Sequence, residues 1–201
     1  GDMVKHLSPR LKIIANHSVG VDHCDLQALR QQEISVTNTP DVLSDATAEI
    51  AILLMLGAAR RAYEGDHMVR SGIWRDWAPK MMNGFQVTGK AIGVVGMGRV
   101  GQIVARRARG FDMVVHYHNR KRLPEDLEQG AIYHESLASL LSVVDVLSLN
   151  CPATKDNINL INRETIACMK PGSILVNTAR GALVDEDALF EALNSGYIRA
   201  A

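Results

Sequence analysis

AIGVVGMGRVGQIVARRA, residues Ala91 to Ala108, decides how this 201-residue chain is read. Its apolar opening, Ala91 to Val95, reads as a buried strand, and Val100 to Arg109 reads as a helix, so Gly96-x-Gly98-x-x-Gly101 falls on the turn between them. A glycine triplet alone says little. One that leaves an apolar strand directly and opens a helix says much more. The first glycine permits the tight turn, the second lets backbone approach a pyrophosphate, and the third lets the helix pack closely on the strand. The first-turn N–H groups at Arg99 and Val100, with the positive end of the helix dipole, then face the phosphates. A dinucleotide site is the expectation.

Downstream the same alternation repeats. Strands are expected at Met113 to His118, around Ile132, at Val144 to Leu149 and at Ser173 to Asn177. Helices are expected between them at Ser136 to Ser142 and Arg163 to Met169, and after them at Asp187 to Ser195. This is an α/β chain with a Rossmann-type doubly wound parallel sheet, and no closing strand is expected after the last helix. Upstream, Leu11 to Asn16 reads as a strand, Leu26 to Gln32 as a helix and Ile34 to Thr37 as a strand, which is barely one α/β unit. Thr39-Pro40 breaks the chain there. The expected domains are therefore residues 1–39 and a dinucleotide-binding domain over 40–201. From Ser44 or Asp45, one long helix is expected to run to Gly72; its first half is apolar nearly all round, which calls for burial on several sides. The loop behind it carries Trp74 and Trp77. It reads either as a surface loop with two anchored rings or as an arm against a partner protomer, and with the apolar helix it leads to the expectation of a homodimer.

Composition narrows the partners. Lys plus Arg and Asp plus Glu both number 22, so no long-range field favours nucleic acid. The longest apolar run, Ile50 to Ala59, is too short to span a bilayer. The first residues lack a signal-peptide pattern, and Cys24, Cys151 and Cys168 form an odd, widely spaced set, so a reducing cytoplasm is expected. His116 and His118 share a strand face without a third ligand nearby, so no metal site is expected.

Cofactor choice rests on the end of the second sheet strand. An acidic residue there accepts the ribose hydroxyls of NAD; here the strand runs into Asn119-Arg120-Lys121-Arg122. Asn119 tolerates a 2′-phosphate, and a guanidinium binds one bidentately, so NADP(H) is expected over NAD(H). Cys151-Pro152 ends the next central strand at the ligand edge, with Cys151 read as an uncharged lining residue rather than a nucleophile. Val176 to Gly181 delivers Arg180 to the same edge, placed to bind a carboxylate or, alternatively, to pair with Asp185 or Glu186.

TPDVLSDATAEIAILLML, VTGKAIGVVGMGRVGQIVA and MKPGSILVNTARGALVDEDALFEAL together resemble the D-isomer-specific 2-hydroxyacid dehydrogenases, over nearly the whole chain. The chain is most similar to the glyoxylate and hydroxypyruvate reductase branch, partly through the Asn119–Arg122 stretch. The resemblance implies a carboxylate-binding loop at Ser18-Val19-Gly20, with Val19 and Gly20 amides as donors. It implies a catalytic arginine at Arg180 that polarises the substrate carbonyl, and Thr47 near the nicotinamide. Gly98, Arg99 and Val100 match the pyrophosphate site, Asn119 and Arg120 the adenosine ribose site, and Cys151, Thr178 and Ala179 further cofactor contacts. It also implies that residues 1–39 are a fragment of a flavodoxin-like substrate domain. The general-acid histidine and its orienting carboxylate would lie past residue 201, so the chain reads as a portion of a longer protein. Loss of that acid would slow turnover by roughly 10²–10⁴-fold. Two activities follow as expectations: hydride transfer between NADP(H) and glyoxylate or hydroxypyruvate, or, alternatively, dinucleotide binding by a non-catalytic regulator or an inactive fragment.

Overall fold

In the computed structural model, which describes residues 2–201, the chain separates into two compact units, one ending at Asp45 and one running from Ala46 to Ala201. In the first unit, β1 (Ile13–Ala15) leads to α1 (Leu26–Gln31), and β2 (Ser35–Thr37) returns parallel to β1 with Ile14 opposite Val36. Asp25 caps α1 by accepting the Ala28 N–H at 2.9 Å. Its small core is Val4, Leu29 and Ile34.

Two helices come next, α2 (Ser44–Ala59) and α3 (Ala62–Arg70), where the sequence led us to expect one. The break has a tertiary cause. The Ala59 carbonyl accepts the N–H of Phe85 at 2.6 Å, and Arg61 takes the left-handed conformation with φ 55°. Gly72, at φ 69°, then ends α3 region as its composition implied.

The sheet is built from β3 (Ala91–Val95), α4 (Arg99–Arg109), β4 (Val114–His118), α5 (Glu125–Glu128), β5 (Ile132–Tyr133), α6 (Leu137–Leu141), β6 (Val146–Leu149), α7 (Arg163–Ala167), β7 (Ser173–Asn177), α8 (Glu186–Asn194) and β8 (Ile198–Ala200). Every pairing is parallel and the order is β5-β4-β3-β6-β7-β8. Relabelled from β3 as the first strand, this is the 3-2-1-4-5-6 order of the doubly wound dinucleotide fold. Successive strand residues face opposite sides, so Ile92 and Val94 pack with Ala48, Ala51 and Met55 of α2 and Val104 of α4. Val95, Leu147 and Leu149 instead pack with Leu140 and Leu141 of α6 and Ile166 of α7. Burial on both faces explains the near-continuous apolar runs in the sequence.

Two elements escaped the sequence reading. α5 is four residues, EDLE, without an apolar stripe. The expectation of no closing strand is corrected by β8, whose Ile198 is fully buried against the sheet and whose Arg199 guanidinium lies 5.4 Å from the centre of the Phe85 ring. Three residues with a central arginine carry too little periodicity to announce a strand.

Candidate cofactor site

Strand order reverses between β3 and β6, so the crevice outside their carboxyl ends is where this architecture places a ligand. Gly96 turns the chain there at φ 90°, and a Cβ on it would lie 2.6 Å from the Cys151 backbone nitrogen. Gly101 sits where a Cβ would come within 2.3 Å of the Gly96 carbonyl oxygen, so only glycine lets α4 pack on the turn. Gly98 is different. It caps α4 without side-chain help, and nothing lies within 4 Å of an added Cβ. Protein packing therefore leaves space beside the α4 N-terminus, at Arg99 and Val100, that a pyrophosphate fits.

Asn119, at the end of β4, accepts the Met97 N–H on Oδ1 at 2.7 Å. The amide thus ties the strand end to the glycine turn through its oxygen. The three cations behind it are all exposed, and Arg122 forms a two-pronged pair with Glu128, at 2.8 and 3.0 Å. The Arg120 charge reaches Cys151 across the crevice. Burial pushes the Cys151 thiol up from its ordinary value, against the opposing pull of its backbone N–H and of Arg120. Cys151 is half-buried, beside an exposed Pro152.

On the β7 side, register places Asn150 and Thr178 next to one another, just past the Leu149–Asn177 pair. Both carry a buried oxygen, Asn150 Oδ1 and Thr178 Oγ1, without a hydrogen-bond partner among the described residues. Orphaned polar atoms at a ligand edge fit a polar occupant such as a nicotinamide or ribose. Ala179 and Arg180 follow in a turn closed by Asn177, whose Oδ1 accepts the Ala179 N–H at 3.0 Å and whose Nδ2 donates to the Arg180 carbonyl at 2.8 Å. Arg180 itself is exposed, and its guanidinium donates to the Ala179 carbonyl. Thr47 is half-buried near the start of α2.

In the first unit, Ser18, Val19 and Gly20 form a loop held by Asn16 and Asn38. Asn16 Nδ2 donates to the Gly20 carbonyl at 3.0 Å, and Asn38 Nδ2 donates to the Val19 carbonyl at 2.9 Å. Among the described residues no backbone carbonyl takes the Val19 or Gly20 N–H.

The histidines of β4 have partners of their own. His116 Nδ1 lies 2.9 Å from His134 Nε2, His134 Nδ1 lies 2.8 Å from Ser139 Oγ, and His118 Nδ1 faces the His134 carbonyl. Burial, then the His134 and Lys170 charges, pushes His116 down from its ordinary value. Among the described residues no group of His, Cys, Asp and Glu is arranged to hold a metal. Sequence reasoning missed Asn177, Asn150 and Glu128. Only Asn177 had a readable signal, an Asx-turn residue two positions before Ala179.

The glycine turn, the helix N-terminus and the strand order define a dinucleotide-binding domain. The profile of the D-isomer specific 2-hydroxyacid dehydrogenase NAD-binding domain matches residues 52–201, and the chain belongs to that family. It is 48% identical to a glyoxylate reductase of Thermococcus kodakarensis over 198 residues, 96% of this chain and 60% of that protein. Among crystal structures, a D-isomer specific 2-hydroxyacid dehydrogenase from Polaromonas sp. superposes with a TM-score of 0.92 at 48% identity, covering 99% of this chain and 63% of that one. A glyoxylate reductase from Paecilomyes thermophila gives 0.90 at 42% identity, over 98% and 59%. The chain spans about 60% of the length of the curated relatives it matches.

Proposed function

We propose that this chain forms the cofactor-binding part of an oxidoreductase that reduces a small 2-keto acid, glyoxylate or hydroxypyruvate, with NADPH. The observation that carries the reading is the joint presence, at one sheet edge, of the open Gly98 position, the Asn119 amide tied to Met97 through its oxygen, and Arg180. When bound, the nicotinamide supplies the hydride. The Arg180 guanidinium holds the substrate carboxylate and polarises the keto oxygen. Thr47, Cys151, Pro152, Thr178 and Ala179 line the nicotinamide side. Relatives named glyoxylate reductase support catalysis over a purely regulatory dinucleotide sensor. The three cysteines are free in the structure, in keeping with a cytoplasmic location.

Preference for NADP(H) over NAD(H) follows from the donor set. With Oδ1 committed to Met97, Asn119 presents N–H groups, and Arg120 and Lys121 add positive charge; phosphate oxygens accept from all three. The test is NADPH oxidation with glyoxylate and hydroxypyruvate, run on protein whose intact mass has been measured. Replacing Arg120 and Lys121 together by Ala is expected to raise the NADPH KM by about tenfold or more and leave NADH unaffected. Turnover by neither cofactor on any keto acid, at a mass above the 22.0 kDa of this chain, would refute the reading.

We also propose a homodimer built on α2 and the Trp74–Trp77 arm. One side of α2 is spent on the core through Ala48, Ala51 and Met55, yet Ile50, Leu53 and Leu54 on other sides are exposed, Leu53 at 62%. Trp77 is 75% exposed beside a groove of about 370 Å³ lined by Val69, Met81 and Met82. Such an apolar surface exceeds what isolated exposed side chains need. Light scattering is expected to give twice the chain mass; a monomer at micromolar concentration would end the idea.

A further inference from the structure

Glu128 is a carboxylate only 5% exposed, on a four-residue helix with no part in the cofactor chemistry. It is also the centre of the best-tied cluster of side chains beside the crevice. The fully buried Tyr117 donates its hydroxyl proton to Glu128 Oε1 at 2.5 Å and accepts the Leu123 N–H at 3.0 Å. Arg122 grips both Glu128 oxygens, and its guanidinium lies 5.8 Å from the centre of the Tyr133 ring. At the other end of the same loop, Asn119 is tied through its side chain to Met97, and its carbonyl accepts from Tyr133 Oη at 3.4 Å. Residues 119 and 122–123 are therefore anchored, and the two positions between them, Arg120 and Lys121, are held up as an exposed pair.

We propose that Glu128, through Arg122 and Tyr117, is the positioning residue that fixes the Arg120–Lys121 bend for a 2′-phosphate. The proposal rests on the NADP(H) reading above and goes beyond it, because it makes an acidic residue a determinant of phosphate binding. Arg122 holds the Glu128 carboxyl down to about 2, with Tyr117 as a second donor, so the anchor stays ionised at any working pH. Preordering matters because immobilising long, rotamer-rich side chains on binding costs affinity. Plain electrostatics gives the opposite sign. Removing a carboxylate near a phosphate site, and releasing the Arg122 charge it neutralises, would tighten phosphate binding.

The experiment is fluorescence titration of the purified protein with NADPH and with NADH, for the wild type, Glu128→Gln, Tyr117→Phe and the Arg120→Ala/Lys121→Ala double variant. Tyr117→Phe keeps the ring in the core and all charges in place, so it reports even if Glu128→Gln folds poorly. Both single variants are expected to raise the NADPH Kd roughly three- to tenfold and leave the NADH Kd unchanged. Tighter or unchanged NADPH binding, or an equal loss for both dinucleotides, overturns the proposal. If the double variant also leaves NADPH binding unchanged, the cofactor reading itself falls; if it weakens binding while the single variants do not, only the positioning role falls.

Discussion

Gly96→Ala is expected to destabilise the domain by about 2–5 kcal/mol and to abolish dinucleotide binding at concentrations that saturate the wild type. The added methyl has nowhere to go. At φ 90° an L side chain is strained by itself, and the new Cβ would stand 2.6 Å from the Cys151 nitrogen and 2.8 Å from its Cα, both of them backbone. Neither neighbour yields easily. The Gly96 N–H donates to His118 on one side, and the Asn150 N–H donates to Val95 at 2.8 Å on the other, so the turn is stitched to β4 and the end of β6 to β3. Opening that seam separates the strands whose reversal forms the crevice. For a domain whose net stability is of order 5–15 kcal/mol, the loss is a large fraction. Urea midpoints measure it. The control is Gly98→Ala, which meets no atom within 4 Å and needs no positive φ. It should melt like the wild type and yet lose dinucleotide affinity, because its methyl enters the space left for the pyrophosphate. An unchanged affinity would move the phosphates elsewhere.

That contrast between two glycines marks what sequence can and cannot convey. The triplet spacing announces the turn, and the structure assigns Gly96 and Gly101 to protein contacts and Gly98 to an open position, as strand-then-helix context implies. Ile92, Val94 and Val95 announce a strand buried on both faces. Signals of this kind are local and periodic, which is why the sheet core and the α4 N-terminus were legible. What was not legible depends on partners distant in sequence. The break between α2 and α3 is made by the Phe85 N–H, 26 positions after the Ala59 carbonyl it meets. β8 exists because β7 offers an edge to three residues that carry no pattern of their own. The three cations after β4 look equivalent as letters, and only the buried Glu128 separates Arg122 from Arg120 and Lys121. Asn119 likewise reads as a missing carboxylate. In the structure it is a clamp whose oxygen accepts the Met97 N–H.

Arg180→Ala is expected to lower kcat/KM for the keto acid by roughly 10²–10⁴-fold while changing the dinucleotide Kd by less than about twofold. Position and chemistry both argue for a loss of that size. Asn177 grips the turn from two sides, and the Leu183 N–H adds a third bond to the Arg180 carbonyl at 3.2 Å, so the main chain that carries the guanidinium is fixed. The side chain leaves that fixed point in extended backbone, φ −143°, and is solvent-exposed rather than packed in the core. In the proposed reaction, a guanidinium offers a planar fork to a carboxylate and its neighbouring keto oxygen, where negative charge would grow as hydride arrives. Lysine at the same position keeps the charge and loses the fork, so Arg180→Lys should recover only a small part of the loss. Each step is read as NADPH oxidation alongside a dinucleotide titration on the same preparation. A parallel fall in dinucleotide affinity would reassign Arg180 to the cofactor, and near-normal turnover would remove it from the reaction.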